Sequence, residues 1–131
     1  MAALQIVVVT PERTTLDQAA ESVVVSLLDG EAGILVGHAP MIGRLAPGEL
    51  RIMAGGKAQR FYIDGGFVQV ADNVVSVLAG RSIPVEQIDA AAARVILEKT
   101  QIEMTDKAEV IALKNRTLAQ ARAQIRLAAS K

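Results

Sequence analysis

The sequence predicts an α+β protein. An N-terminal antiparallel β-sandwich or barrel spans residues 1–83, and an antiparallel two-helix hairpin follows over residues 84–131. Three observations point there. Up to about residue 80 the apolar residues come in short, β-branched runs punctuated by Gly, Asn and Asp. Beyond Arg81 they recur three and four positions apart, the period of a helix face. Charge is sorted along a chain that is neutral overall. Residues 106–131 carry Lys107, Lys114, Arg116, Arg122, Arg126 and Lys131 against Asp106 and Glu109, and the preceding residues hold the balancing negative surplus. Such sorting suits a tail that meets an acidic partner, whether protein, phosphate or membrane surface.

Residues 4–9, 23–28, 33–36, 49–54, 59–63, 67–70 and 74–78 read as strands. Gly55-Gly56, Asp64-Gly65-Gly66 and Asp72-Asn73 fall between them, where tight turns want φ above zero. "LRIMA" and "FVQVA" alternate, with one apolar face and one mixed face. Many short strands at this spacing indicate a sandwich or barrel. Pro84 suits the first position of a helix, where its missing N–H costs nothing. From there Val85, Ile88, Ala92, Val95, Ile96 and Ile102 share one arc of a helix.

"EMTDKAE" interrupts that pattern. Thr105 is a candidate N-cap, and Asp106 and Glu109 suit the positive end of a second helix over residues 107–129. That helix aligns Val110, Ile111, Leu118, Ala121, Ile125 and Ala128 in one stripe. Both helices are rich in alanine ("AAAAR", "LAQARAQIRLAAS"), which favours helix but offers little surface at about 25 cal/mol per Å². The hairpin should therefore hold the sandwich weakly. A tenfold preference between two arrangements needs only about 1.4 kcal/mol.

Composition narrows the chemistry. The 131 residues include no Cys, one His, two Phe, one Tyr and no Trp. Disulfides and thiolate metal sites are excluded, and a lone His argues against a zinc centre. No apolar run reaches the roughly 18 to 20 residues that span a bilayer, and no basic-then-apolar leader is seen. A cytoplasmic, cofactor-free protein is expected. Nucleic-acid binding would want a broader basic stripe and stacking aromatics, and a membrane-surface helix would want Trp or Phe anchors.

The segment "GEAGILVGHAPMIGRLAPGELRI" holds the candidate chemistry. Glu31 and His38 could form an acid–base pair in a small β-barrel enzyme, but the chain has no nucleophile elbow, no H-E-x-x-H and no Walker A loop. The opposing reading has His38, ahead of Ala39-Pro40, hydrogen-bonding backbone in a rigid turn. Met41 and Ile42, apolar in a loop-like context, are either core or contact surface. The scattered glycines lack the Lys-Ser/Thr of a phosphate loop and read as bends.

"DGEAGILVGHAPMI", "LAPGELRI", "YIDGGFVQV" and "NVVSVLAG", in that order and spacing and with "PERTTLD" before them, closely resemble the epsilon-subunit family of bacterial F-type ATP synthases. The resemblance covers residues 4 to about 100, and beyond that holds in character more than in letters. It implies a non-catalytic subunit with a ten-stranded sandwich at the foot of the rotor's central stalk. The gamma subunit would hold it, the c-ring would carry it, and the complex would sit peripherally on the cytoplasmic face of the inner or plasma membrane. By the same resemblance Asp29, Glu31, His38, Met41 and Ile42 lie at the contact with gamma and the c-ring. The hairpin would either fold down on the sandwich or extend into the catalytic head and inhibit ATP hydrolysis. There Lys114, Arg116, Arg122 and Arg126 would meet the beta subunit, with alpha beside it.

Some family members bind ATP through an Ile/Leu-Asp-x-x-Arg-Ala pattern with arginines on the second helix. In "QIDAAAAR" Ile88 and Asp89 match, but Ala92 stands at the arginine position. Arg94 lies about 140° from Asp89 around a helix, too far to share a ligand. Arg122 and Arg126 remain as anion-gripping candidates, so any ATP site over Ile88, Asp89, Arg122 and Arg126 should be weak. A stand-alone nucleotide-sensing module is the alternative.

Overall fold

Ten strands and two helices form in the computed structural model, which describes residues 3–102 and 107–130. The strands are β1 (Leu4–Val9), β2 (Thr14–Ala20), β3 (Ser22–Leu27), β4 (Gly30–Leu35), β5 (Met41–Leu45), β6 (Gly48–Ala54), β7 (Lys57–Ile63), β8 (Gly66–Ala71), β9 (Val74–Ala79) and β10 (Ser82–Pro84). They run in the order β10-β7-β6-β3-β5-β8-β9-β1-β2, with β4 added on β3. The corner is at β3. Its first residues, Ser22 to Val24, pair with β6, whereas Leu27 pairs with Leu45 of β5. The chain of strands turns over there, and β2 comes to lie against β6 across the core. Every pairing is antiparallel except β1 with β9, which run parallel.

Three strands go beyond the sequence reading. β2 (TTLDQAA) is largely polar, β5 (MIGRL) is broken by Gly43, and β10 has three residues and ends in Pro84. Ladder hydrogen bonds from neighbours supply what their own sequence lacks. Met41 and Ile42 therefore sit in a strand, not a loop.

Alternation builds the core. Leu4, Ile6 and Val8 of β1, Leu50 and Ile52 of β6, Val68 and Val70 of β8, and Val75 and Val77 of β9 are buried, together with Val23, Val25 and Ile34. Gly66 admits no side chain: its φ is +135°, and a Cβ there would stand 1.9 Å from the Leu78 carbonyl oxygen. The Asp72-Asn73 turn takes φ of 51° and 63°, the two left-handed positions of a tight hairpin.

The helical part begins differently from its periodicity. Pro84 precedes a single 3₁₀ turn, Val85–Gln87, and the first helix proper, α1, is Ala90–Ile102. The break at Ile88 and Asp89 has a cause: the Asp89 carboxylate accepts the Ala92 N–H at 3.0 Å and caps α1. α2 is Ala108–Ala129, with Lys107 at the cap position. Thr105, Asp106 and the Ile102 side chain lie outside the described residues. The two helices pack on each other, and α2 rests on β6, β7 and the 3₁₀ turn.

Candidate functional site

Two surfaces carry the residues singled out by the sequence. The first lies along β4 and β5. Asp29 and Glu31 are exposed at the β3–β4 turn, and His38 follows the far end of β4. His38 is anchored by its N–H to the Leu35 carbonyl at 3.1 Å, and the preceding Gly37 N–H donates to Asn73 Oδ1 at 2.7 Å. The His38 Nδ1 donates to the Ala39 carbonyl at 2.7 Å. Four residue steps separate Glu31 from Leu35, about 13 Å of strand. Glu31 and His38 are thus not brought together as an acid–base pair. Among the described residues no group of three His, Cys, Asp or Glu side chains could hold a metal ion.

β5 joins these two ends. Met41 turns inward against the core, whereas Ile42 is 77% exposed, which divides two residues the sequence left undecided. Outward from β5, Arg44 pairs with Phe67 and Phe67 with Leu78. Phe67 and Leu78 are half exposed, as is Leu28 beside the acidic turn. One sheet face therefore presents Ile42, Phe67 and Leu78 interspersed with Arg44 and Gln69, with Asp29 and Glu31 toward one end and His38 toward the other. Phe67 and Leu78 escaped the sequence reading, although "FVQVA" already places Phe67 on the face opposite its buried valines.

The second surface is the hairpin and its seat. Tyr62 on β7 is fully buried and packs with Val85, Ile88, Ala123 and Leu127. Burial pushes the Tyr62 phenol above its ordinary value, reinforced by its hydrogen bond to the Asp64 carboxylate. Arg81 lies 5.7 Å from the centre of the Tyr62 ring and 3.2 Å from Asp64. Burial works against the Arg81 charge, but the Asp64 carboxylate outweighs it and raises its pKa. Gln120 of α2 donates to the Asp64 carbonyl at 3.3 Å. At the end of α2, Arg60 of β7 donates to the Ser130 carbonyl and hydroxyl at 2.8 and 2.9 Å.

The residues matched to a nucleotide pattern have structural roles here. Ile88 is buried in the Tyr62 cluster and Asp89 is the cap of α1. Arg122 and Arg126 are exposed on α2. Arg116 lines an open groove of about 650 Å³ with Arg44, Asp64 and Phe67, and Lys114 is partly buried. Leu118 and Ala121 are buried as their stripe predicts, but the stripe does not continue to the hairpin tip. Val110 and Ile111 are 38% and 39% exposed, and Val95 and Ile96 of α1 are 49% and 46% exposed.

A ten-stranded sandwich bearing a C-terminal helical hairpin defines a small α+β chain. Residues 3–85 match the family described as ATP synthase, Delta/Epsilon chain, beta-sandwich domain. The ATP synthase epsilon chain of Rhodopirellula baltica is 43% identical over 94% of this chain and 96% of its own length. The sodium ion specific ATP synthase epsilon chain of Propionigenium modestum is 30% identical over 98% and 95%. Among solved structures, a chain of the Euglena gracilis mitochondrial ATP synthase, OSCP/F1/c-ring in rotational state 1, superposes with a TM-score of 0.85 at 25% identity. It covers all of this chain and 83% of that one. A chain of the Tetrahymena thermophila mitochondrial ATP synthase central stalk/c-ring shares the fold, with a TM-score of 0.76 at 17% identity over 95% and 96%. The chain belongs to the ATP synthase epsilon-chain family.

Proposed function

We propose that this chain is a non-catalytic rotor subunit whose sandwich joins the gamma subunit to the c-ring and whose hairpin restrains ATP hydrolysis. The observation that carries this reading is the apolar surface left uncovered on two separate faces. On the sandwich, Ile42, Phe67 and Leu78, interspersed with Arg44 and Gln69, form a strip between the acidic turn and His38. Apolar patches rimmed by charge mark protein contacts. Gamma takes the strip, with Ile42 and His38 at its edge, and Asp29 and Glu31 face the polar loops of the c-ring. The substitution pair I42E/F67E should weaken binding of gamma at least tenfold while leaving the β-sheet circular dichroism intact. Unchanged co-purification with gamma would remove this face from the contact.

On the hairpin, Val95, Ile96, Val110, Ile111 and Leu113 stay exposed in the docked position. A second position that covers them recovers about 25 cal/mol per Å², which offsets the small seat lost at Tyr62. In that position Lys114, Arg116, Arg122 and Arg126 meet acidic surface of the beta subunit, with alpha alongside, and obstruct rotation in the hydrolysis direction. R122E/R126E should raise hydrolysis by the reconstituted complex several-fold. No change would take these two cations out of the contact.

ATP is at most a weak ligand of this hairpin, since Asp89 caps α1, Ile88 is buried and Ala92 offers no cation. Calorimetric titration of the full chain should show no saturation at micromolar ATP. Micromolar affinity would overturn this assignment and favour a nucleotide-sensing module.

A further inference from the structure

The outer face of β6 and β7 places two arginines directly opposite each other, Arg51 and Arg60. Like charges in that position repel. Glu49 lies between them and receives Arg51 Nη1 at 3.2 Å, Arg60 Nε at 2.7 Å and Arg60 Nη2 at 2.5 Å. Its carboxylate holds one edge of the Arg60 guanidinium, so the planar fork has a fixed direction. That direction leads to the end of α2. Nη1 donates to the Ser130 carbonyl, and Nη2 donates to the Ser130 hydroxyl, which in turn donates to the Leu127 carbonyl at 3.0 Å. Leu127 packs in the Tyr62 cluster.

A helix C-terminus carries unsatisfied carbonyls and the negative end of the dipole. α2 ends without a glycine, carries Arg126 in its own last turn, and takes a second cation from the sandwich at the Ser130 carbonyl. Leaving the sandwich therefore costs α2 an ionic cap as well as its apolar seat.

We propose that Arg60 is the latch of the hairpin, a positioning residue that caps α2 from β7 and sets how tightly the helices rest on the sandwich. The proposal rests on the reading that the hairpin has a second position. The latch adds the orientation given by Glu49, and it accounts for a charged residue facing a largely alanine-lined helix. Arg60 is partly exposed, so added salt weakens the latch.

The test is hydrogen exchange of the full-length chain, read separately for residues 118–127 and for β1, β8 and β9. R60Q should raise exchange in residues 118–127 about tenfold, since hydrogen bonds to a charged group are lost, with the three strands unchanged. R60K retains a cation near Glu49 but loses the fork, and should give a smaller rise. S130A should raise exchange in the native background by more than it does in the R60Q background. Unchanged exchange in R60Q and R60K, or equal S130A increments in both backgrounds, would overturn the latch. Hydrolysis by the reconstituted complex separates this from the inhibitory reading. Faster exchange with unchanged hydrolysis keeps the latch and removes inhibition. Unchanged exchange removes the latch and leaves the inhibitory reading untouched.

Discussion

The sandwich and the hairpin are built from different materials. The sandwich core is β-branched and continuous: Ile6, Val8, Val23, Val25, Ile52, Val68, Val70, Val75 and Val77 interlock from both layers. The seat of the hairpin is one aromatic ring with Val85, Ile88, Ala123 and Leu127 around it, and a set of polar ties. Small side chains let α2 approach the sheet closely, but they bury little area. The same chain thus joins a large interlocked core to a small one, and the difference lies in side-chain size. Helix propensity plays little part, since alanine is the best helix former.

The largest expected effects fall on the sandwich. Gly66→Ala forces a Cβ into the Leu78 carbonyl at a φ that L-residues rarely adopt, and should lower stability by about 3 kcal/mol or more in denaturant unfolding. A loss under about 1 kcal/mol would mean that the β8–β9 pairing yields more easily than its packing suggests. Leu127→Ala should act on the other region. It should release α2 from the Tyr62 cluster, costing about 2 kcal/mol of docking as read by hydrogen exchange in the helices, with the sandwich transition in place. If both regions lost stability together, they would be one cooperative unit.

Smaller effects sharpen the boundary. Asp89→Ala removes the cap of α1 and should cost about 1 kcal/mol of helix stability, seen as lost helical ellipticity. Asp89→Asn should recover most of it, because an amide oxygen accepts the same N–H. Least in size is a pH effect. The Tyr62 phenol is held above its ordinary value of 10.0 in the docked state. Its contribution is complete below that value, and falls as pH rises beyond it because the undocked phenol loses its proton first. Helix release on raising pH past about 10 should be weaker in Tyr62→Phe than in the native chain.

Legibility followed the same division. Strands with regular alternation were readable, as were the Gly55-Gly56 and Asp72-Asn73 turns, because each pattern is local. β2, β5 and β10 were not, since partners in the ladder define them. On the hairpin, periodicity alone joined Val85 to the first helix. The competing preference was local too, an Asp89 carboxylate that caps α1 and starts it at Ala90, six residues later than Pro84 suggests. Arg60 left no sequence signal at all. Its partners lie 11 and 70 positions away, and only the fold brings them together. Of the residues proposed for contact, His38 does bond backbone in its turn, one of the two readings the sequence offered, whereas the outward turn of Ile42 depends on neighbours the sequence does not show.

The claim that the sandwich is the fixed coupling and the hairpin the movable restraint is tested most directly by hydrolysis. The rate of the reconstituted complex should be measured with the full chain and with a chain lacking residues 85–131. The account predicts that gamma and the c-ring still bind the shortened chain and that ATP hydrolysis rises several-fold. Hydrolysis at the same rate with both chains would contradict it.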